Sequence, residues 1–149
     1  MAGVLTGSRT TLHIERRFAA SRERVFEAWT DPELFVRWFR PKGGSASDAE
    51  IDLRVGGSWC VTMKGPLWPG RAFGTYMEVD VPARLVYTMA WEGIPLGPES
   101  VVTVEFDELD GETEVRLTQE RLGTLRGRVG HARGWRNSLR RLRKLVEAA

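Results

Sequence analysis

RVGHARGWRNSLRRLRKLV, residues 128–146, is the stretch that decides the fold. At helical spacing it carries an apolar stripe: His131, Trp135, Ser138, Leu139, Leu142, Leu145 and Val146, in steps of three and four. Arg133, Arg136, Arg140, Arg141, Arg143 and Lys144 lie mostly off that stripe. A long amphipathic helix is therefore expected from Arg128 onward, with one apolar face in need of a partner.

Upstream, residues 50–120 repeat with the period of strands. Ile51, Leu53 and Val55 alternate with Glu50, Asp52 and Arg54, and Gly56-Gly57 turns the chain. Trp59, Val61 and Met63 alternate with Cys60 and Thr62, and GPLWPG at 65–70 is a loop. Residues 73–79 form a strand of open parity: either Phe73, Thr75, Met77 and Val79 face the core, or Tyr76 and Glu78 do. After a turn at Val81-Pro82-Ala83, Leu85, Tyr87, Met89 and Trp91 share a face. A loop with two prolines follows at 93–98, then Val102, Val104 and Phe106 share a face. Asp110-Gly111 signals a hairpin, and Thr113, Val115 and Leu117 close the sheet.

Before the strands, residues 1–9 read as a flexible lead-in and 10–18 as a first strand, with Leu12 and Ile14 on one face and His13 on the other. Ser21 is placed to cap a helix carrying Glu23, Val25, Phe26 and Trp29. Asp31-Pro32 starts a second one with Leu34, Phe35 and Trp38, ended by Pro41 and Gly43-Gly44. The order is strand, two helices, six strands, long helix. Clustered strands with helices at the ends give an α+β fold. An antiparallel sheet has one face to bury, and only the C-terminal helix is long enough to cover it. The sheet is expected to curl around that helix, and such curled sheets leave interior space for ligands. No repeat, linker or low-complexity tract divides residues 10–149, so a single domain is expected.

The chain has 149 residues, 42% of them hydrophobic and 28% charged, which suits a folded domain with one core. No apolar run approaches the ~20 residues of a membrane span, so no membrane insertion is expected. The first residues lack the pattern of a signal peptide, making the cytoplasm the expected compartment. Cys60 is the only cysteine, which excludes an intrachain disulfide and a multi-cysteine zinc site. Net charge is +2 but uneven: residues 1–120 carry 13 Lys/Arg against 19 Asp/Glu, and residues 121–149 carry 9 against one. A basic tail can mean nucleic acid or acidic lipid. No nucleic-acid motif accompanies it, so a helix with a solvated cationic face is expected and no specific nucleic acid.

Several stretches resemble the START-like superfamily of polyketide cyclases, dehydrases and lipid-transport proteins, and within it the branch named after the activator of the heat-shock-protein ATPase. They are Thr30-Asp31-Pro32-Glu33 through Trp38, DLRVGGSW at 52–59, and Met63-Lys64-Gly65-Pro66. Gly74 and Pro82-Ala83-Arg84-Leu85-Val86-Tyr87-Thr88 follow, then His131, Gly134-Trp135, Leu139 and Leu142. The likeness spans residues 10–147 and implies the helix-grip fold: a curved antiparallel sheet around a long C-terminal helix. It does not imply one activity. The branch's eukaryotic co-chaperone carries an additional N-terminal domain that engages the chaperone. These 149 residues leave no room for one, so chaperone stimulation is not expected.

Six tryptophans are the most informative feature: Trp29, Trp38, Trp59, Trp68, Trp91 and Trp135. Indoles supply apolar area and one N–H donor, which suits a flat ligand, although they also fill cores. Trp29 and Trp135 read as core. Trp59 and Trp91 lie on inward strand parity and are expected to touch the ligand, with Met63, Tyr87 and Met89 lining the same cavity. Trp38 is expected to close one end of the space, and His131 with Trp135 to present the helix side. His131 is either a satisfied core histidine, a ligand contact or a general base. Glu78 and Asp52 are candidate buried acids; an inward Glu78 would have its pKa raised by desolvation. Motifs for acyl transfer, zinc hydrolysis and phosphate loops are missing, so no catalytic residue, cofactor or metal is assigned.

The expected function is binding of a small hydrophobic or aromatic ligand, and a homodimer is compatible with the chain. Two alternatives stay open. A cyclase- or hydrolase-like enzyme would hold His131 within hydrogen-bond reach of Tyr87 or Glu78. A chaperone-interacting module would have a filled interior beside a large exposed apolar patch.

Overall fold

Strand β1 (Leu12–Phe18) forms one edge of a seven-stranded antiparallel sheet and β2 (Ser45–Ile51) the other. Helices α1 (Arg22–Thr30) and α2 (Pro32–Trp38) carry the chain between those edges. The computed structural model describes residues 10–66 and 69–148. The lead-in at 1–9 and Trp68 lie outside the described residues. Strands β3 (Ser58–Lys64), β4 (Pro69–Asp80), β5 (Arg84–Glu92), β6 (Ser100–Leu109) and β7 (Glu112–Glu120) follow, then helix α3 (Leu125–Glu147). The strand order β1-β7-β6-β5-β4-β3-β2 is a meander whose last strand is paired by the first. The sheet is curved and open and α3 packs in its concavity, which is the α+β helix-grip arrangement.

Local chemistry explains the boundaries. Ser21 accepts a hydrogen bond from the Arg24 amide, and Asp31 caps α2 by accepting from the Glu33 amide. Asp110 and Gly111 take φ of 53° and 81°, the left-handed pair that a tight two-residue hairpin needs. Helix α3 begins at Leu125, one turn before Arg128, because Thr124 accepts from the Gly127 amide. Gly127 and Gly130 hid that first turn, since glycine weakens helices. At Gly127 a Cβ would stand 2.7 Å from the Leu122 carbonyl oxygen, and at Gly130 3.0 Å from Leu96 Cδ2. Close packing against backbone therefore requires Gly127, whereas at Gly130 the neighbour is the tip of a leucine side chain.

Two strand readings are corrected. The strand expected over 50–55 ends at Ile51, and residues 52–55 lie outside it. The edge strand is Ser45–Ile51, with a register shift between Ser47 and Glu50 where Asp48 adopts φ 53°. Val55 is 64% exposed at the tip of a turn, and Asp52 points outward to pair with Arg54 at 2.9 Å. An edge strand of small polar residues gives no apolar alternation to read. Asp52 is consequently no buried acid. The open parity of 73–79 has a different answer from either alternative. Ala72 and Tyr76 face the core, a bulge follows between Tyr76 and Glu78, and Val79 then packs inward. Met77 is 53% exposed. Glu78 pairs with Arg84 at 2.9 Å on the outer side, so it is not a buried acid either.

The core is a chain of aromatic contacts, edge-to-face from Trp29 to Trp38 and Phe106 and stacked from Trp29 to Trp135. The Trp29 ring lies 4.6 Å from Trp38, 5.5 Å from Phe106 and 6.0 Å from Trp135. Around it, His131, Trp135, Ser138, Leu139, Leu142 and Val146 bury the apolar stripe of α3. Several cations of α3 also have structural partners. Arg128 donates to the Thr11 carbonyl, Arg143 to that of Arg17, and Arg141 to those of Trp38 and Arg40. These bonds fasten the helix to the chain beside β1 and to the end of α2.

Candidate functional site

Strand β5 sets the floor of the site. Its inward residues climb from the centre of the sheet toward the rim: Leu85, Tyr87 and Met89 are fully buried, and Trp91 is half-buried. Beyond Trp91 the chain leaves the sheet through residues 93–99. Gly93 and Gly97 there adopt φ of 80° and 100°, a region that favours glycine. That loop brings Leu96 against Gly130 of α3 and sets Ile94 over Gly70 of β4.

Between them lies a cavity of about 300 Å³. Met63, Met89 and Trp91 line it from the sheet, Ile94 and Leu96 from the loop. Helix α3 contributes His131, Gly134, Trp135 and Ser138, and Phe39 with Pro41 enters from the segment after α2. The charged residues on the wall are Arg40, Lys42 and Arg133.

His131 is 4% exposed and its two ring nitrogens are both engaged. Nδ1 lies 2.7 Å from the Gly127 carbonyl oxygen, which can only accept, so Nδ1 carries the proton. Nε2 accepts from the Trp91 indole N–H at 2.9 Å. Desolvation lowers the imidazole pKa, against a smaller opposing effect of the Gly127 hydrogen bond. The ring is therefore neutral at pH 7, with its lone pair already committed to an indole. Neither Tyr87 nor Glu78 is its partner. Tyr87 accepts from Trp29 Nε1 at 3.1 Å, and burial pushes its phenol pKa well up.

Trp135 is fixed by a buried polar relay that the sequence reading missed. Its Nε1 donates to Gln119 Oε1 at 2.8 Å, Gln119 Nε2 donates to Ser100 Oγ at 2.8 Å, and Ser100 Oγ donates to the Met89 carbonyl at 3.3 Å. Gln119 and Ser100 are buried, and their side-chain polar atoms find partners within the relay. The signal was present. Gln119 continues the inward parity of Thr113, Val115 and Leu117 on β7.

Five of the residues expected at the ligand line the cavity: Met63, Met89, Trp91, His131 and Trp135. Trp38, Trp59 and Tyr87 do not; they pack behind it in the core. Trp38 is fully buried and donates to the Ala28 carbonyl at 2.8 Å, so it does not close the opening. Its neighbour Phe39 reaches the cavity instead. Trp59 faces inward as its parity required, yet its indole lies across Gly74 and donates to the Thr88 carbonyl at 3.0 Å. His13 is exposed, bonded to Thr118 and Glu15. Ile94 and Leu96 were missed because loop residues carry no periodicity, and Phe39 because it lies just past the end of α2. Among the described residues no cluster of three His, Cys, Asp or Glu is placed to hold a metal, and no helix is long and apolar enough to cross a membrane.

Known proteins place this architecture. A solved structure from Chromobacterium violaceum is 26% identical, with a TM-score of 0.84, covering 94% of this chain and 99% of that one. An AHSA1-like protein of Aeromonas hydrophila is 27% identical with a TM-score of 0.75, covering 92% of each chain. A protein of Rhizobium leguminosarum is 25% identical with a TM-score of 0.80, covering 93% of this chain and 95% of that one. No curated protein matches the sequence. The model of the family described as Activator of Hsp90 ATPase homolog 1-like protein matches residues 19–147, and the chain belongs to that family, in the START-like superfamily.

Proposed function

We propose that the protein binds a small apolar molecule in the cavity between β5, the 93–99 loop and α3. The observation that carries this reading is the cavity of about 300 Å³, walled chiefly by methionine, aromatic and aliphatic side chains. It lies at the low end of the ~300–1,000 Å³ of small-molecule sites, which favours a compact ligand over a whole phospholipid. Met63, Met89, Trp91, His131 and Trp135 are the contacts we assign. Met63 and Met89 adapt their shape and favour aromatic faces. The engaged state of His131 supports binding over catalysis: a base needs a lone pair facing substrate, and here Trp91 occupies it.

A thermal-shift screen against sterols, flavonoids, fatty acids and polyketide-like aromatics tests the proposal. Saturating binding stabilises the fold by about 2.7 kcal/mol at a hundredfold excess over Kd, a readily visible shift. Stabilisation by one class of apolar compound is the expected result. No stabilisation by any of them contradicts it.

A further inference from the structure

The cavity is apolar, yet every charged side chain on its wall is a cation. Arg40 and Lys42 approach from the segment after α2, and Arg133 from α3. No Asp or Glu lines the cavity, in a chain that has 20 of them. Lys42 and Arg133 are exposed, and among the described residues no carboxylate lies within 4.0 Å of Arg40, Lys42 or Arg133. Arg40 is held in place by donating to the carbonyls of Gly44 and Arg37. The neutral His131 adds no charge inside, and Asn137 and Ser138 add uncharged polar groups at the same wall. Uncompensated cations beside low-dielectric walls focus a positive potential on the opening. From this arrangement we infer that the ligand is an amphiphilic monoanion: a ring-sized apolar body between Trp91, Met89 and Trp135, with a carboxylate-type head at Lys42 and Arg133.

The inference rests on the apolar-pocket reading above and adds the charge of the ligand to it. Three probes with one apolar body and different heads separate the two: naphthoate, naphthol and naphthylmethylamine, titrated by calorimetry at pH 7. Naphthoate is expected to bind about tenfold tighter than naphthol, and the amine weakest. Added salt should weaken naphthoate and leave naphthol unchanged. A Lys42→Glu/Arg133→Glu double variant should lower naphthoate affinity by about tenfold or more, with naphthol binding retained as the check on its fold. Naphthol or the amine binding as tightly as naphthoate overturns the inference while leaving the pocket in place. So does a double variant that still binds naphthoate as the parent does. Binding of none of the three probes removes both readings.

Discussion

Trp91 Nε1 lies 2.9 Å from Nε2 of His131, joining the end of β5 to the first turns of α3. The bond fixes the tautomer of one ring and the orientation of the other, and both rings line the cavity. It needs a neutral imidazole, which burial provides.

A pH dependence follows. The folded His131 pKa is depressed below its ordinary value, so below about pH 6.5 the unfolded chain holds a proton that the folded chain refuses. Stability from this group is present above about pH 6.5 and is lost as pH falls below it, by at most about 1.4 kcal/mol per pH unit. Denaturant melts of the parent and of His131→Gln between pH 7.5 and 5 (~ values bracketing the imidazole range) should converge as pH falls. Parallel curves would contradict the assignment.

Gly74 sits opposite Trp59 in the β3–β4 pairing, and a Cβ there would collide with the Thr88 carbonyl oxygen and the Trp59 indole. Gly74→Ala should cost about 3 kcal/mol or more, read from chemical denaturation. A loss under about 1 kcal/mol would mean that the indole does not cross the glycine as described.

The relay from Trp135 to Ser100 predicts a second large effect. Gln119→Leu leaves the buried Trp135 N–H without its acceptor, at about 1–3 kcal/mol, while the Ser100 hydroxyl keeps its bond to the Met89 carbonyl. Its near-UV circular dichroism should change as Trp135 loses its fixed orientation. An unaltered spectrum and unaltered stability would remove the relay's role.

Gly134 lines the cavity, and unlike Gly127 and Gly130 it has nothing within 4 Å of a built Cβ. Packing does not require it. Gly134→Leu should leave the fold intact or raise helix stability by up to about 1 kcal/mol. The leucine side chain obstructs the opening, so affinity for any cavity ligand should fall by about tenfold, or about 1.4 kcal/mol. Undiminished affinity would place the ligand elsewhere.

The basic C-terminal segment is predicted to bind no specific DNA, because several of its arginines have partners in the fold. Arg141 donates to the carbonyls of Trp38 and Arg40, whereas Arg140 is exposed. Arg141→Ala should therefore destabilise by about 1–3 kcal/mol while Arg140→Ala stays within about 0.5 kcal/mol. Equal effects, or a salt-sensitive, sequence-selective complex in a gel shift, would contradict this.

Where side chains alternate against a buried face, the sequence was readable. Leu85, Tyr87 and Met89 on β5 and the stripe from His131 to Val146 on α3 lie as their periods require. The edge strand Ser45–Ile51 was not readable, because its small polar residues bury little. Parity on β4 was broken by a bulge, which no period reveals. Inward orientation of Trp59 and Tyr87 was legible, but whether an inward residue meets a void or a neighbour depends on packing in three dimensions. One wall of the cavity comes from Ile94 and Leu96, in a loop whose Gly93 and Gly97 take positive φ, and loop residues carry no period to read.

The most direct measurement is a backbone-amide NMR titration of the labelled protein with naphthoate. The account predicts saturable shifts concentrated at residues 89–96 and 130–138, with the Trp91 and Trp135 indole N–H signals among the most perturbed. Saturable shifts confined to other parts of the surface, or no shifts in those two segments, would contradict it.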